Sequence, residues 1–279
     1  MIRLVFAASI ALAGFSANAA EVLWYGHAAT KITTEEGKVI LIDPYISNNP
    51  ATPEDLRDLS QIGQVDLILI THGHGDHVGD LAALAEQTGA QVATNADLGR
   101  VFVDLGWVAE DKLIRFNKSG TITPLGEGIR IVMVPAEHSS DLYHDGKLLP
   151  GGEPAGYVIE LENGFRIYHA GDTGVFLDME LIGAFYAPDL ALLPIGGHFT
   201  MDPEDAAWAL DNLLLIPQVI PIHYGTFGAI AGTPEQLKDA LGESDIEVID
   251  LKPGESRTFT LDDAEAEAPA DEPADDEEE

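Results

Sequence analysis

The sequence contains no cysteine among its 279 residues. The chain can therefore form no disulfide and cannot carry a lipid on an N-terminal cysteine, and any metal site must use histidine, aspartate or glutamate. Basic residues are also scarce, because 14 lysines and arginines stand against 48 aspartates and glutamates, for a net charge of -34. This balance argues against non-specific nucleic-acid binding, which needs basic side chains to displace counterions from phosphates.

Long apolar runs are absent after the first twenty residues, so no later stretch is predicted to span a membrane. The N-terminal segment MIRLVFAASIALAGFSANA has an early charge at Arg3, then an apolar run and an A-x-A ending. This order is typical of a secretory signal peptide, here residues 1–19, with an uncleaved membrane anchor as the alternative. The shortness of the run favours cleavage after Ala19 or Ala20. A periplasmic or secreted location is therefore expected.

The C-terminal segment 262–279 has eleven acidic residues and no basic one. It is rich in alanine and proline and lacks aromatic residues, which predicts a disordered acidic tail. Plain solvation is its expected role, with capture of a metal or a partner as the alternative. Residues 20–261 contain no fixed-period repeat and no low-complexity linker, so we expect one compact domain there.

Short β-rich runs alternate with helical patterns in this domain. Several of the runs are continuous in valine, isoleucine and leucine, as expected for strands buried on both faces. Strands are predicted at 22–25, 30–33, 38–42, 66–70, 91–94, 129–134, 156–161, 165–169, 190–193, 218–222 and 247–251. Helices are predicted at 80–87, 96–105, 203–214 and 233–241, with Asn95 as the N-cap of the second. This order indicates an α/β sandwich with mixed sheets.

The stretch ILITHGHGDHVGD, residues 68–80, places three of the nine histidines directly after an apolar run. His72 and His74 are two residues apart, so in an extended segment both project to the same side and can bind one ion. Asp76 and His77 follow a turn at Gly75 and would point near the same place, at a different ion. Glycines between such ligands allow the backbone to bend closely around a metal. A solvated polar loop explains this density of histidine poorly.

Four further candidates follow predicted strands elsewhere in the chain. They are His138 in VPAEHSS, Asp172 in IYHAGDTG, His198 in LPIGGHFTM and His223 in VIPIHYGTF. Each lies where an apolar run gives way to glycine or a small polar residue. Sites in open α/β sheets form beyond the carboxyl ends of strands, so this repetition predicts one site along a sheet edge.

The motif T-H-G-H-G-D-H resembles the H-x-H-x-D-H signature of the metallo-β-lactamase superfamily. The stretches WYGHA, LIDPY, EHSS, YHAGDTG, LPIGGHFTM, PEDAA and PIHYGTF occur in order along the chain. Together they look like the uncharacterised metal-dependent hydrolase branch, which is related to ascorbate-6-phosphate lactonases and more distantly to N-acyl-phosphatidylethanolamine phospholipase D. The resemblance covers about residues 20–255.

This resemblance implies a four-layer αβ/βα sandwich, the metallo-β-lactamase fold, with two mixed sheets and two divalent metals at one edge. The first metal would be bound by His72, His74 and His138. The second would be bound by Asp76, His77 and His223. Asp172 would bridge the two ions.

Two such ions share a water and lower its pKa from about 15.7 toward about 7. The expected activity is hydrolysis of a small ester, lactone or phosphodiester by a hydroxide between the ions. The ligand set accepts Zn²⁺, Mn²⁺ or Fe²⁺, and the Irving–Williams order favours Zn²⁺. The expected partner is a small-molecule substrate, with no nucleic acid and no stable membrane insertion after signal cleavage.

Five other side chains have roles that the pattern leaves open. Asp76 could orient the hydroxide as well as bind metal, and His198 could contact an oxyanion, protonate a leaving group or serve only as a structural partner. His27 is expected to support the site rather than bind metal. His144 could line the substrate mouth, although a surface histidine is the simpler interpretation. Lys118 is a candidate contact for an anionic substrate.

Two other functions compete with hydrolysis of a small ester. A β-lactamase is disfavoured because the third ligand in EHSS and the last in PIHYGTF are typical of the lactonase-like branch. A periplasmic metal-binding module without turnover would also need these ligands. Nothing in the sequence indicates an oligomeric state.

Overall fold

The structure is a computed structural model and describes residues 18–260. The predicted acidic tail and residues 1–17 of the predicted signal peptide lie outside the described residues. Strand β1 begins at Asn18, whose backbone pairs with that of Thr260. Within the described residues, no helix combines the length and the apolar character needed to cross a bilayer.

The first of two seven-stranded sheets comes mainly from the N-terminal half of the chain. It contains β1 (Asn18–Gly26), β2 (Ala29–Thr34), β3 (Val39–Ile42), β4 (Leu67–Leu69), β5 (Gln91–Asn95), β6 (Leu113–Phe116) and β16 (Ser256–Thr260). The spatial order is β16-β1-β2-β3-β4-β5-β6. The pairs from β16 to β3 are antiparallel and those from β3 to β6 are parallel, so the sheet is mixed.

The second sheet is built in the same way from the C-terminal half. It contains β7 (Thr121–Ile122), β8 (Arg130–Pro135), β11 (Ala155–Glu160), β12 (Arg166–His169), β13 (Leu190–Pro194), β14 (Gln218–Ile222) and β15 (Glu247–Val248), in the order β15-β14-β13-β12-β11-β8-β7. The strands β12 to β15 are parallel, and the remaining pairs are antiparallel. A separate hairpin is formed by β9 (Leu142–His144) and β10 (Lys147–Leu149).

Helices cover the outer face of each sheet. They are α1 (Gly75–Val78), α2 (Leu81–Thr88), α3 (Ala96–Asp104), α4 (Met179–Leu181), α5 (Pro203–Ala209) and α6 (Pro234–Leu241). Single π-helical turns extend α4 over Ile182–Tyr186 and α5 over Leu210–Leu214. Short 3₁₀ turns lie at Glu54–Leu56, Leu59–Gln61 and Glu110–Lys112. The predicted N-cap is confirmed, because the Asn95 side chain accepts from the backbone N–H groups of Asp97 and Leu98.

Alternation along the central strands assigns each side chain to a layer. Ile40 and Ile42 pack between the sheets, whereas Leu41 faces the layer of α1 to α3. On the second sheet, Leu192 faces the first sheet and Leu193 faces α4 to α6. Successive strand residues point to opposite faces, so a continuous apolar run fills two cores at once. The order helix, sheet, sheet, helix confirms the predicted four-layer sandwich.

The structure also contains elements that the pattern did not predict. Strands β6, β7, β16 and the β9–β10 hairpin are short and mostly exposed on one side, and α1 and α4 have three or four residues each. The strand predicted at 247–251 ends at Val248. Its continuation still donates one backbone hydrogen bond, from Ile249 to Val219.

Candidate metal centre

The predicted site residues converge at one edge of the paired sheets. His27 and Asp43 follow β1 and β3, and the H-x-H-x-D-H segment follows β4 in the first sheet. In the second sheet, His138, Asp172 and His223 follow β8, β12 and β14. All of these positions lie beyond the carboxyl ends of strands, as predicted.

One group of potential metal ligands contains His72, His74, His138 and Asp172, with ligating atoms all within 4.8 Å of one another. His72 Nε2 lies 3.0 Å from His74 Nδ1. His138 Nε2 lies 3.4 Å from Asp172 Oδ2. This group corresponds to the predicted first metal together with its bridging aspartate.

A second group contains His27, Asp76, His77 and His223 under the same 4.8 Å limit. His27 Nε2 contacts Asp76 Oδ2 at 2.9 Å. Asp172 also reaches this side, because its Oδ1 lies 3.3 Å from His77 Nε2 and its Oδ2 lies 3.1 Å from His223 Nε2. Asp172 therefore lies between the two groups. His27, which the sequence placed in a supporting role, lies among the potential ligands.

Two histidines of the site, His72 and His77, form hydrogen bonds through their Nδ1 atoms on the side away from the centre of the site. His77 Nδ1 lies 2.9 Å from Asp43 Oδ2, a carboxylate that accepts its proton. The Thr71 hydroxyl donates to the same Asp43 oxygen at 2.6 Å and accepts from His72 Nδ1 at 3.0 Å. In this network both rings carry their proton on Nδ1, so each Nε2 lone pair faces the centre of the site.

Several buried atoms that face the centre of the site are suited to bind a cation. Among the described residues, His77 Nε2, Asp172 Oδ1 and both ring nitrogens of His223 are buried without a hydrogen-bond partner. Buried polar atoms without partners are rare and destabilise the folded state. In this site the lone pairs of His77 and His223 face the Asp172 carboxylate. A divalent ion would satisfy His77 Nε2, Asp172 Oδ1 and one nitrogen of His223, so the donor set fits a bound metal.

The charges of the site also favour metal binding. Burial lowers the pKa of His72 well below its usual value and lowers that of His138, which leaves both rings neutral. Burial raises the pKa of Asp172, but His77 and His223 lower it by more, so this carboxylate is ionised. Burial lowers the pKa of His77, yet Asp172 and Asp43 raise it well above its usual value. With no metal bound, His77 would therefore hold a second proton on Nε2, and a metal ion would take the place of that proton.

The backbone around the site takes up conformations that ordinary residues adopt rarely. His27, Asp43 and His223 have φ angles of 58°, 48° and 54°, in the left-handed region. The His223 N–H donates to the His27 carbonyl at 2.8 Å, which joins two of these residues across the sheets. Such strain persists where the surrounding structure enforces it, and it occurs often at functional sites.

Gly73 is required for a different reason from the one expected. A Cβ atom at this position would lie 2.2 Å from the Ser140 carbonyl oxygen, whereas a Cβ at Gly75 would meet nothing within 4 Å. The Gly73 N–H donates to the same Ser140 oxygen at 3.0 Å. Because Gly73 has no side chain, the segment that follows His138 can pass close to its backbone. This contact brings His138 close to His72 and His74.

Two other histidines, His198 and His169, lie outside every group of potential ligands. His198 is exposed, with a φ of 65°, and its ring contacts Phe199 at 4.4 Å between centroids. His169 is fully buried, accepts from the Gly171 N–H at 3.2 Å and donates to the Ala28 carbonyl at 3.2 Å. His169 therefore joins the two sheets beside the site.

His144, a candidate for the substrate mouth, and Lys118, a candidate contact for an anionic substrate, both have other partners. The His144 ring packs edge-on against Trp107 at 5.1 Å. Lys118 Nζ forms an ion pair with Glu153 at 2.8 Å. Neither belongs to a group of potential ligands.

Three supporting residues were not predicted from the sequence. Asp43 and Thr71 orient His72 and His77, and the Thr226 hydroxyl lies 3.0 Å from His27 Nδ1. Of these three residues, only Asp43 could have been identified from the sequence. It directly follows a buried strand, and a buried aspartate needs a hydrogen-bond partner.

Comparisons with known proteins identify the family to which this chain belongs. The model of the Beta-lactamase superfamily domain matches residues 38–224, a range that includes all seven predicted ligands. A UPF0173 metal-dependent hydrolase from Cupriavidus necator is 52% identical over 252 residues, which cover 88% of this chain and 87% of the relative. A second, from Roseiflexus sp., is 45% identical and covers 84% of this chain and 96% of its own length.

Among solved structures, the metallo hydrolase Igni18 from Ignicoccus hospitalis aligns with a TM-score of 0.75 and 36% identity. The alignment covers 86% of this chain and 98% of Igni18. The isothiocyanate hydrolase from Delia radicum gut bacteria shares the fold, with a TM-score of 0.65 at 20% identity. The chain therefore belongs to the metallo-β-lactamase superfamily and, within it, to the UPF0173 metal-dependent hydrolases.

Proposed function

We propose that this metal-dependent hydrolase uses two divalent ions to activate a water that cleaves a small ester, lactone or phosphodiester. The observation that carries the proposal is the position of Asp172, whose Oδ2 lies 3.4 Å from His138 Nε2 and 3.1 Å from His223 Nε2. One carboxylate thus contacts a histidine of each ligand group. This is the arrangement that a bridging ligand requires.

Two bound ions would lower the pKa of a shared water and polarise the oxygen of the bond under attack. The first ion would be held by His72, His74 and His138. The second would be held by Asp76, His77 and His223, with Asp172 between them. His/Asp donors of this kind favour Zn²⁺ over Mn²⁺ or Fe²⁺ by the Irving–Williams order.

Asp76 is the group placed to orient the attacking water. It is partly exposed, and its Oδ2 contacts His27 Nε2 at 2.9 Å. Burial raises the pKa of Asp76, but the hydrogen bond with His27 and the nearby His77 lower it by more, so the carboxylate stays ionised. An ionised carboxylate can accept a proton from the water while its second oxygen remains held.

His198 remains the candidate for contact with the leaving group. Its exposed loop is anchored beside the site, because the Met201 N–H donates to the Thr173 carbonyl at 3.0 Å. Thr173 directly follows Asp172. A ring on this loop is available to a bound substrate.

The test compares metal content and turnover in three variants that each remove one histidine. His138→Ala and His223→Ala are each expected to retain about one ion per chain and to lose turnover, whereas wild type binds two. His144→Ala is the matched control, because His144 lies on the surface hairpin. Metal content is measured by mass spectrometry after dialysis. Turnover is measured with aryl esters, lactones and bis(4-nitrophenyl) phosphate as substrates. A wild-type stoichiometry of one ion, or full turnover in both variants, would show that the two-metal proposal is wrong.

We also propose export of the chain, from the signal-peptide pattern in residues 1–19. N-terminal mass spectrometry of protein recovered from the periplasm or medium should find a chain that starts at Ala20 or Glu21. An intact Met1 in a cytoplasmic fraction would contradict this proposal.

A further inference from the structure

His27 belongs to the second group of potential ligands, but it was not among the predicted ligands of the second ion. Its ring is fully buried, and the ring centroid lies 4.0 Å from that of His223. Its Nε2 contacts Asp76, and its Nδ1 contacts Thr226. Beside two divalent ions the ring would be neutral, and a neutral imidazole carries one ring proton. The nitrogen that carries this proton decides whether His27 binds a metal or a neighbouring side chain.

The position of a carboxylate sets the ring proton at two other histidines of the site. Asp43 accepts from His77 Nδ1 at 2.9 Å and from the Thr71 hydroxyl at 2.6 Å. Because the Thr71 hydroxyl gives its only hydrogen to Asp43, it can only accept from His72 Nδ1, at 3.0 Å. Both rings therefore keep a proton on Nδ1, and both offer Nε2 to a bound ion.

At His27 the carboxylate lies on the opposite side of the ring. Asp76 Oδ2 is 2.9 Å from Nε2, and an ionised carboxylate only accepts, so Nε2 donates. The lone pair of Nδ1 then accepts from the Thr226 hydroxyl at 3.0 Å. Metal binding by Nε2 requires the reverse, with the proton on Nδ1. The Thr226 hydrogen would then be left to the Tyr224 carbonyl at 3.5 Å, beyond the usual range of about 2.5–3.0 Å.

Aromatic side chains hold the His27 ring in this orientation. Phe227 and Tyr45 pack edge-on against it, with centroid distances of 5.5 Å and 6.1 Å. A half-turn of the ring would place carbon atoms, instead of nitrogen atoms, against Asp76 and Thr226. The observed orientation is therefore the one that keeps both hydrogen bonds of the ring.

We propose that His27 is a positioning residue and not a metal ligand: its Nε2–H holds Asp76, and the Thr226 hydroxyl fixes the tautomer that makes this possible. This inference rests on the proposed function and gives a role in it to two residues that are not among the predicted ligands. With Oδ2 held by His27, the Asp76 carboxylate keeps one orientation. A group that orients an attacking water requires such a fixed direction.

The position of the ring proton is measured in the Zn²⁺-loaded protein by long-range proton–nitrogen correlation NMR of the histidine rings. The signals of His27 are those that disappear in His27→Gln. We expect the proton of His27 on Nε2 and that of His72 and His77 on Nδ1. A proton on His27 Nδ1, with Nε2 bound to metal, would overturn the inference and leave the two-metal hydrolase standing.

Two variants of His27 test the hydrogen bond to Asp76. His27→Ala removes the donor, whereas the amide of His27→Gln places an N–H near the position of Nε2. Both variants are expected to bind two Zn²⁺ ions per chain, measured by mass spectrometry after dialysis. With 4-nitrophenyl acetate or bis(4-nitrophenyl) phosphate, His27→Ala should lower kcat about 10- to 100-fold without a matching change in KM. His27→Gln should recover most of this loss. Loss of one ion in both variants would show that His27 is a ligand.

Two variants of Thr226 test the hydrogen bond that fixes the tautomer. Thr226→Val keeps the shape of the side chain but removes the hydroxyl, so kcat should fall about two- to tenfold, the effect of one neutral hydrogen bond. Thr226→Ser keeps the hydroxyl and should retain the wild-type rate. A wild-type kcat in Thr226→Val would contradict the role of Thr226.

The outcomes separate this inference from the proposed function. If the wild type hydrolysed neither test substrate, the proposed hydrolysis would fail for these two classes. The NMR spectrum and the metal content would still decide between a positioning residue and a ligand at His27.

Discussion

Asp43 and His77 are both fully buried, and Asp43 Oδ2 lies 2.9 Å from His77 Nδ1. The same carboxylate accepts from the backbone N–H of Thr71 at 2.8 Å. Asp43 also forms a group of potential ligands with His72 and His77, and these contacts set the orientation of the histidine segment. Hydrogen-bond partners of this kind fix the ring and the tautomer of a metal ligand.

Asp43→Asn is expected to weaken metal binding by about 10- to 100-fold, because the amide cannot accept from every donor that the carboxylate serves. Calorimetric titration of the metal-free protein with Zn²⁺ measures this change. Asp66→Asn is the matched control, because Asp66 Oδ2 accepts the Val39 N–H at 2.8 Å at the opposite end of the same strands. Equal Zn²⁺ affinity in both variants would contradict the role of Asp43.

Gly73→Ala is expected to lower the free energy of unfolding by about 1–3 kcal/mol, as overpacking does. The new Cβ would lie 2.2 Å from the Ser140 carbonyl oxygen, a backbone atom with little freedom to move. Urea denaturation measures the change. Gly75→Ala, two residues away in open space, should be neutral or slightly stabilising. A stable Gly73→Ala variant with unchanged metal affinity would refute the close approach.

The stability of the metal-free protein should fall as the pH drops from 6.5 to 4. Burial lowers the pKa of His27 from 6.5 to about 4, so in this window the unfolded chain binds a proton that the folded chain does not. Each such histidine contributes a slope of at most about 1.4 kcal/mol per pH unit. His72 and His138 act in the same direction.

His27→Gln should remove one histidine's share of this slope. Urea midpoints measured across the window in the presence of a chelator give the two curves. Parallel curves for wild type and His27→Gln would show that His27 titrates in the folded state at its usual pKa.

Asp80→Asn should loosen the loop that carries Tyr45 without changing metal content. Asp80 is 5% exposed, and its Oδ2 accepts the N–H groups of Ile46 at 2.6 Å and Ser47 at 2.8 Å. Loss of one charged hydrogen bond costs about 1.5–3 kcal/mol. Movement of Tyr45, whose ring packs against His27, should raise KM. Asp58→Asn, at an exposed turn, is the control. Loss of a metal ion in Asp80→Asn would contradict this assignment.

The pattern of the sequence predicted the central strands because their residues are buried on both faces. Strand β16 escaped prediction because Phe259 is its one fully buried side chain, and its place beside β1 depends on pairing between the two ends of the domain. No strand was predicted for the hairpin β9–β10 (Leu142–His144 and Lys147–Leu149). Its exposed Tyr143 and Leu148 show no core-facing alternation.

For the site, the sequence indicated seven potential ligands, and the structure brings all seven to one sheet edge. It did not indicate that His27 joins Asp76, His77 and His223. The segment G-H-A offers no second ligand beside His27, so its neighbours in the fold could not be found from spacing. His198, by contrast, has the right local pattern but lies on an exposed loop.

By itself, the sequence determined the residue types of the metal site and their positions after buried strands. Within one short segment, such as His72 to His77, spacing also determines which side chains can meet. Only the tertiary structure decided the contacts between distant segments, such as His27 with Asp76, 49 residues apart, and His27 with Thr226, 199 residues apart. Local geometry fixes directions over a few residues, whereas packing of the two sheets decides which strand ends lie side by side.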